Sequence, residues 1–262
     1  MKTAMRKYEF TGETKTLCDG TVLHRIRALI DIDLRLRVVK AGDLGGWLEC
    51  ERNLSHYGNC WVYGDANVFG NAEVWGNAEV LGNAKVWGDA EVCGNAEVCG
   101  DAKVWGNAKV RGNAAIWGNA EVWGNAEVCG DADVWHNAKL YGNAEVRGNA
   151  EVCGDAHVFD KDHVLVIGPI GSRSDFTTFM RNKNGEIKVR CGCFFGTADE
   201  FLNKVQKTHG DSEYAVAYRA AVALAVEQID TTPETEDEIS ATNHIADDAC
   251  GSWIMQRFTK TE

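Results

Sequence analysis

Two histidines interrupt the repetitive middle of this 262-residue chain, and histidine is the side chain best suited to moving protons near neutral pH. His136 stands where its neighbours have glycine, and His157 falls in the last repeat. A general base needs an orienting acid or a nucleophile beside it, and the sequence gives neither histidine such a partner. Gly168-Pro169-Ile170-Gly171-Ser172-Arg173 has backbone amides and an arginine that suit a phosphate, with Gly171, Ser172 and Arg173 as the candidates. It lacks the Lys-Ser/Thr and following helix of a P-loop, so a turn between strands is the competing reading. His244, Asp247, Asp248 and Cys250 are close enough to suggest a metal, but they sit in an acidic tail. Cys191 and Cys193 are too close for the usual zinc pair, and no second pair answers them. No catalytic residue, metal or cofactor is therefore expected.

The frame that must position these groups is a short repeat. From Val62 to Val158 an aliphatic residue recurs every sixth position, Val at each except Ile116 and Leu140. The unit is illustrated by Val74-Trp75-Gly76-Asn77-Ala78-Glu79. A fixed short period over so long a stretch marks a solenoid. Ala and Val lie two apart, so both point to one side of a strand, inward, while the residues flanking Val point out. Gly-Asn or Gly-Asp makes the corner, because these residues tolerate positive φ.

The pattern resembles the hexapeptide-repeat, left-handed parallel β-helix superfamily, over residues 58–160. The resemblance implies a mainly β chain with three hexapeptides per coil and about six coils. The rod would be roughly 25–30 Å long at the ordinary strand spacing. Asn and Asp rows at its corners would hydrogen-bond along the axis. The superfamily also contains acyltransferases, whose inserted loop between coils has no counterpart in this array. The Lys40–Trp47 stretch, with Asn53-Leu54-Ser55 and Gly58–Tyr63, is similar to uncharacterised bacterial and phage hexapeptide-repeat proteins, and the module from Val164 to Ile229 is similar to a tail joined to such arrays.

Grouping the residue after each aliphatic by every third unit gives three columns. One reads Phe69, Trp87, Trp105, Trp123, Tyr141, Phe159, and beside it lie Asn67, Lys85, Lys103, Glu121, Lys139 and His157. The other two faces are mostly acidic. The aromatic and basic face, Lys85, Lys103 and Lys139 included, is the candidate binding surface, since rings interleaved with lysines can stack bases or sugars. A bare ladder of six rings exceeds the apolar patch a soluble monomer tolerates. The expected covers are the chain's own C-terminal helices or tail, a second copy, or a ligand or foreign partner.

The flanks divide the chain further. Residues 1–57 read as a β-rich cap, with period-two alternation from Val22 and a break at Gly42, Gly45 and Gly46. Residues 161–229 read as a small α+β module: a strand at 164–167, a hairpin around Asn182–Gly185, and helices over about 198–207 and 212–229 with Asp211 as N-cap and His209 near the first helix's C-terminal end. Residues 230–262 read as an acidic linker and a docking cluster of Trp253, Ile254, Met255 and Phe258.

Net charge is −12, of which the array 61–159 carries −8, from 14 acids against six bases. This argues against a general nucleic-acid binder and suits solubility, or a partner with a basic surface. No apolar run spans a membrane, no secretory signal is visible, and the cysteines fit no disulfide framework, so a reducing cytoplasm, bacterial or host, is expected. The leading expectation is a non-enzymatic binding or scaffold protein, dimeric or trimeric, one version of which is a phage-encoded modulator of a host or defence system. An acyltransferase acting at a trimer cleft and a binder of small nucleotide or phosphate ligands stay open beside it.

Overall fold

A computed structural model describes residues 6–232. The candidate metal group at His244–Cys250, the acidic linker beyond 232 and the docking cluster lie outside the described residues. The middle is a parallel β-solenoid of about six turns. Its seventeen two-residue strands, β6 to β22, run from Trp61–Val62 to His157–Val158. They form three sheets, each pairing a strand with the one a full coil away, as Lys85 pairs with Lys103 and Glu97 with Ala115. Every repeat Ala and aliphatic residue is buried in one continuous core. Corner glycines sit at positive φ, and only His136 replaces one, at φ 60. Most of these corners are also tight: a Cβ on Gly100 would stand 3.1 Å from the Gly118 amide nitrogen one coil on. The corner amides link along the axis, as Asn77 Nδ2 donates to Asn95 (3.0 Å) and Asn95 Nδ2 to Asn113 (2.9 Å).

The solenoid's ends differ chemically. Each coil donates its N–H groups to carbonyls of the coil after it, as the Trp87 N–H does to Val104 O. Carbonyls are therefore left over at the N-terminal end and N–H groups at the C-terminal end, and buried backbone groups must find partners. The N-terminal segment supplies donors. Lys7 Nζ donates to Cys60 O (2.8 Å) and Gly58 O (3.3 Å), Tyr8 Oη to Leu54 O (2.9 Å), and Asn53 Nδ2 to Ala72 O (2.9 Å). The C-terminal module supplies acceptors. Thr178 Oγ1 accepts from Glu151 N (2.9 Å), Met180 Sδ from Cys153 N (3.5 Å), and His163 Nδ1 from Phe159 N (3.2 Å).

Strands β1 (Tyr8–Thr16), β2 (Val22–Ala28) and β5 (Leu44–Leu48) extend the sheet of the aromatic face, β5 pairing in parallel with Asn67–Val68. Between them Ile32–Asp33 (β3) and Val38–Val39 (β4) form a small hairpin. Gly42 breaks the pattern at φ +99, but Gly45 and Gly46 lie inside β5, against expectation. They are there for close approach: a Cβ on Gly45 would stand 2.6 Å from Ile26 Cγ1, and one on Gly46 2.6 Å from Val62 Cγ1.

After the array, β23 (Val164–Ile170), β24 (Asp175–Arg181), β25 (Ile187–Cys191) and β26 (Phe194–Thr197) make an antiparallel sheet that carries α1 (Ala198–His209) and α2 (Glu213–Gln228). The Asn182–Gly185 hairpin forms as expected, whereas β23 is longer than expected and β26 unforeseen. The N-cap of α2 is Ser212, one residue after the expected Asp211. Strand β24 closes the bottom coil, with Met180 in the solenoid core and Asn182 bridging to Ala156.

Candidate functional site

The aromatic column stacks as its spacing requires. Ring centroids lie 4.9 Å apart between Trp87 and Trp105, 4.8 Å between Trp105 and Trp123, and 4.5 Å between Trp123 and Tyr141, with planes within 10° of parallel. Phe69 and Phe159 extend the stack at its two ends. The expectation that something else must cover the ladder does not hold for its centre. Trp105 and Trp123 are 4 % exposed and Tyr141 6 %, because each flat ring is covered by the ring above and below. The C-terminal helices pack on their own sheet, and the module meets the ladder at its last ring, where Arg181 lies over Phe159 (4.9 Å) and His163 meets it edge-on. Beside the ladder, Lys103 (2.8 Å) and Lys139 (3.5 Å) pair with Glu121, while Lys85 is exposed. The ladder is a hydrophobic spine with a partly neutralised border.

The third face offsets most of its own charge, with three bases against four carboxylates. Lys109 pairs with Glu91 (3.6 Å), Arg111 with Glu127 (2.5 Å) and Arg147 with Glu145 (2.9 Å). The remaining face does not. Its outward columns are Trp61, Glu79, Glu97, Ala115, Asp133, Glu151 and Tyr63, Leu81, Cys99, Trp117, Trp135, Cys153, with four carboxylates and no base. The cations that reach it come from outside the array. Arg37, beside the β3–β4 hairpin, approaches Glu79 (3.9 Å) and lies over Tyr63 (5.0 Å). Arg190, from β25, donates Nε–H to Glu151 (2.6 Å) and lies over Trp135 (5.5 Å).

Between them the face is open. A groove of about 720 Å³ runs between the hairpin and the solenoid, lined by Arg35, Leu36, Glu79, Glu97 and the Asn77–Asn95–Asn113 row among others. Burial, reinforced by Glu97, raises the Glu79 carboxyl above the usual carboxylate range despite Arg37. Burial and then the neighbouring Glu151, Asp131 and Glu97 do the same to Asp133. Both carboxylates are thus held in surroundings that disfavour their charged form. Burial also pushes the Cys99 thiol up to about 12, which makes it unreactive.

The other candidates are scattered. His136 is exposed at its corner, with Trp117 and Trp135 just beyond 6 Å. His157 meets Tyr141 edge-on, and burial, then Lys139, depresses its pKa to about 4, so it is neutral at pH 7. Gly171, Ser172 and Arg173 form the turn between β23 and β24, which continues as strand rather than helix. Gly171 is packed so closely that a Cβ there would stand 1.9 Å from the Tyr218 hydroxyl. Among the described residues, no group of three or more His, Cys, Asp or Glu is arranged to hold a metal, and no helix is long and apolar enough to cross a membrane. The acidic face was visible in the sequence as a column, but the arginines seated on it were not, since Arg37 and Arg190 lie far from Glu79 and Glu151 in the chain.

No protein-family model matches the chain, and no curated protein matches it.

Proposed function

We propose that this chain is a non-catalytic β-helical scaffold of the hexapeptide-repeat kind, which presents a rigid acidic face to a macromolecular partner with a basic surface, in a cytoplasmic setting. The supporting observation is the charge of the face bearing Glu79, Glu97, Asp133 and Glu151: no base of the array shares it, and arginines from the flanking segments neutralise only its ends. A stack of buried Val and Ala rows beneath keeps the carboxylates one or two coils apart at fixed positions, so little ordering is needed on binding. The aromatic face gives this reading less support, because its apolar area is already buried by stacking.

The test is sedimentation of the full chain with polylysine and with polyglutamate at low and high salt. The expected result is co-sedimentation with polylysine that weakens steeply as salt rises, and none with polyglutamate. Absence of polylysine binding at low salt overturns the reading, as does salt-independent binding of both polymers.

A further inference from the structure

Helix α2 is apolar on the side that faces outward as well as on the side that packs. Ala215, Tyr218, Ala221, Val222 and Ala225 are buried with residues of α1 and the sheet. The opposite side carries Val216, Ala220, Ala223, Leu224 and Val226 at helical spacing. All five are exposed, Val216 at 58 % and Val226 at 59 %. Between Glu213 and Glu227 the only charged residue is Arg219, and its guanidinium is turned aside to Gly210 O (2.8 Å) and Asp211 (3.3 Å). A helix that is apolar all round belongs in contact on every side, yet no element among the described residues covers this one. The chain leaves close by: Asp230 N–H donates to Asp162 O (3.2 Å) and Thr232 O accepts from Arg181 (2.8 Å), just past the end of α2. The sequence that follows has six acids and no Lys or Arg over the twenty residues 233–252. Then come Trp253, Ile254, Met255 and Phe258, with Arg257 and Lys260 among them.

We propose that the outer face of α2 is the docking surface for the chain's own apolar cluster, Trp253 to Phe258. The inference goes beyond the scaffold reading and does not depend on it, since α2 shares no residue with the acidic face. Reach favours this occupant. Ala220, at the middle of the bare face, lies eight residues before Gln228, roughly 12 Å along the helix. Twenty residues of random coil span roughly 22–27 Å, so the tether is long enough without being wasteful and holds the cluster at a high effective concentration. Charge favours it too. Glu213 and Glu227 close the two ends of the bare face, and the cluster brings Arg257 and Lys260. A second copy fits less well. A two-fold pairing of α2 centred on Ala220 sets Glu213 of one copy against Glu227 of the other, between chains that each carry a net charge of −12.

The experiment is photo-crosslinking of the full chain from the bare face. Leu224→p-benzoylphenylalanine places the reactive group there, and Leu36→p-benzoylphenylalanine, at a residue 81 % exposed on the β3–β4 hairpin, serves as the control. Circular dichroism confirms that each variant folds. After irradiation, mass and peptide mapping should show an adduct within one chain, joining α2 to the peptide that contains Trp253, several-fold more abundant than any tail adduct of the Leu36 probe. Adding Trp253→Ala and Phe258→Ala should reduce that adduct about tenfold, by removing the two largest apolar anchors. An adduct between the α2 helices of two chains overturns the proposal in favour of a dimer. A tail adduct no stronger than the control's, or one that survives the double alanine change, also overturns it. None of these outcomes bears on polylysine binding, so the scaffold reading stands or falls separately.

Discussion

Lys7 and His157 show how single side chains here serve the rod's polarity rather than any reaction. Lys7 is 1 % exposed, and its ammonium answers carbonyls that no coil above can reach. Burial lowers its pKa, yet its donors are what the top coil lacks. Lys7→Ala leaves those carbonyls without a donor, and urea denaturation should show a loss of about 2 kcal/mol. For His157 the folded pKa of about 4 lies below the ordinary 6.5. Between those values the unfolded chain takes up a proton that the folded chain refuses, so this histidine's contribution is complete above pH 6.5 and is lost as pH falls toward 4. The buried acids act oppositely, since the folded state holds Asp133 and Glu79 above their ordinary values and gains from protonation. Comparing thermal midpoints at pH 7.5 and 4.5 isolates the histidine: His157→Asn should lose less on acidification than the parent.

The elements are two-residue strands, and none is stable alone, so the columns formed between coils carry the stability. In the aromatic column each indole is covered by its neighbours, which makes a buried ring cost far more to remove than an exposed one of the same type. Trp105→Ala should destabilise by about 3–4 kcal/mol, whereas Trp75→Ala, where the ring is 45 % exposed, should cost under about 1 kcal/mol in the same assay. The period of six, the inward Ala and Val and the glycine corners were all legible in the sequence, because each follows from a local rule repeated seventeen times. The ladder's composition was legible too. Its self-burial was not, since column membership says nothing of how flat rings lie once stacked 4.8 Å apart. Gly45 and Gly46 misled for a related reason: the sequence shows a strand breaker, while the cause of glycine there is the approach of Ile26 and Val62 from other parts of the chain.

At the scale of the molecule, the solenoid is a dipolar object whose two caps are chemically matched to its ends, with donors at the N-terminal cap and acceptors at the C-terminal one. That match could not be read locally, because Thr178 and Met180 become acceptors for the bottom coil only once β24 folds under it. A chain ending at residue 160 should therefore expose a bare row of N–H groups and the apolar shaft, and urea denaturation should show a midpoint well below that of the full chain. The same caps deliver Arg37 and Arg190 to the acidic face and leave its centre open. Hydroxyl-radical footprinting of the full chain with and without polylysine at low salt tests this most directly, since Trp117 and Trp75 are exposed reporters on different faces. The account predicts several-fold protection of Trp117 with Trp75 unchanged; protection of Trp75 with Trp117 left reactive would contradict it.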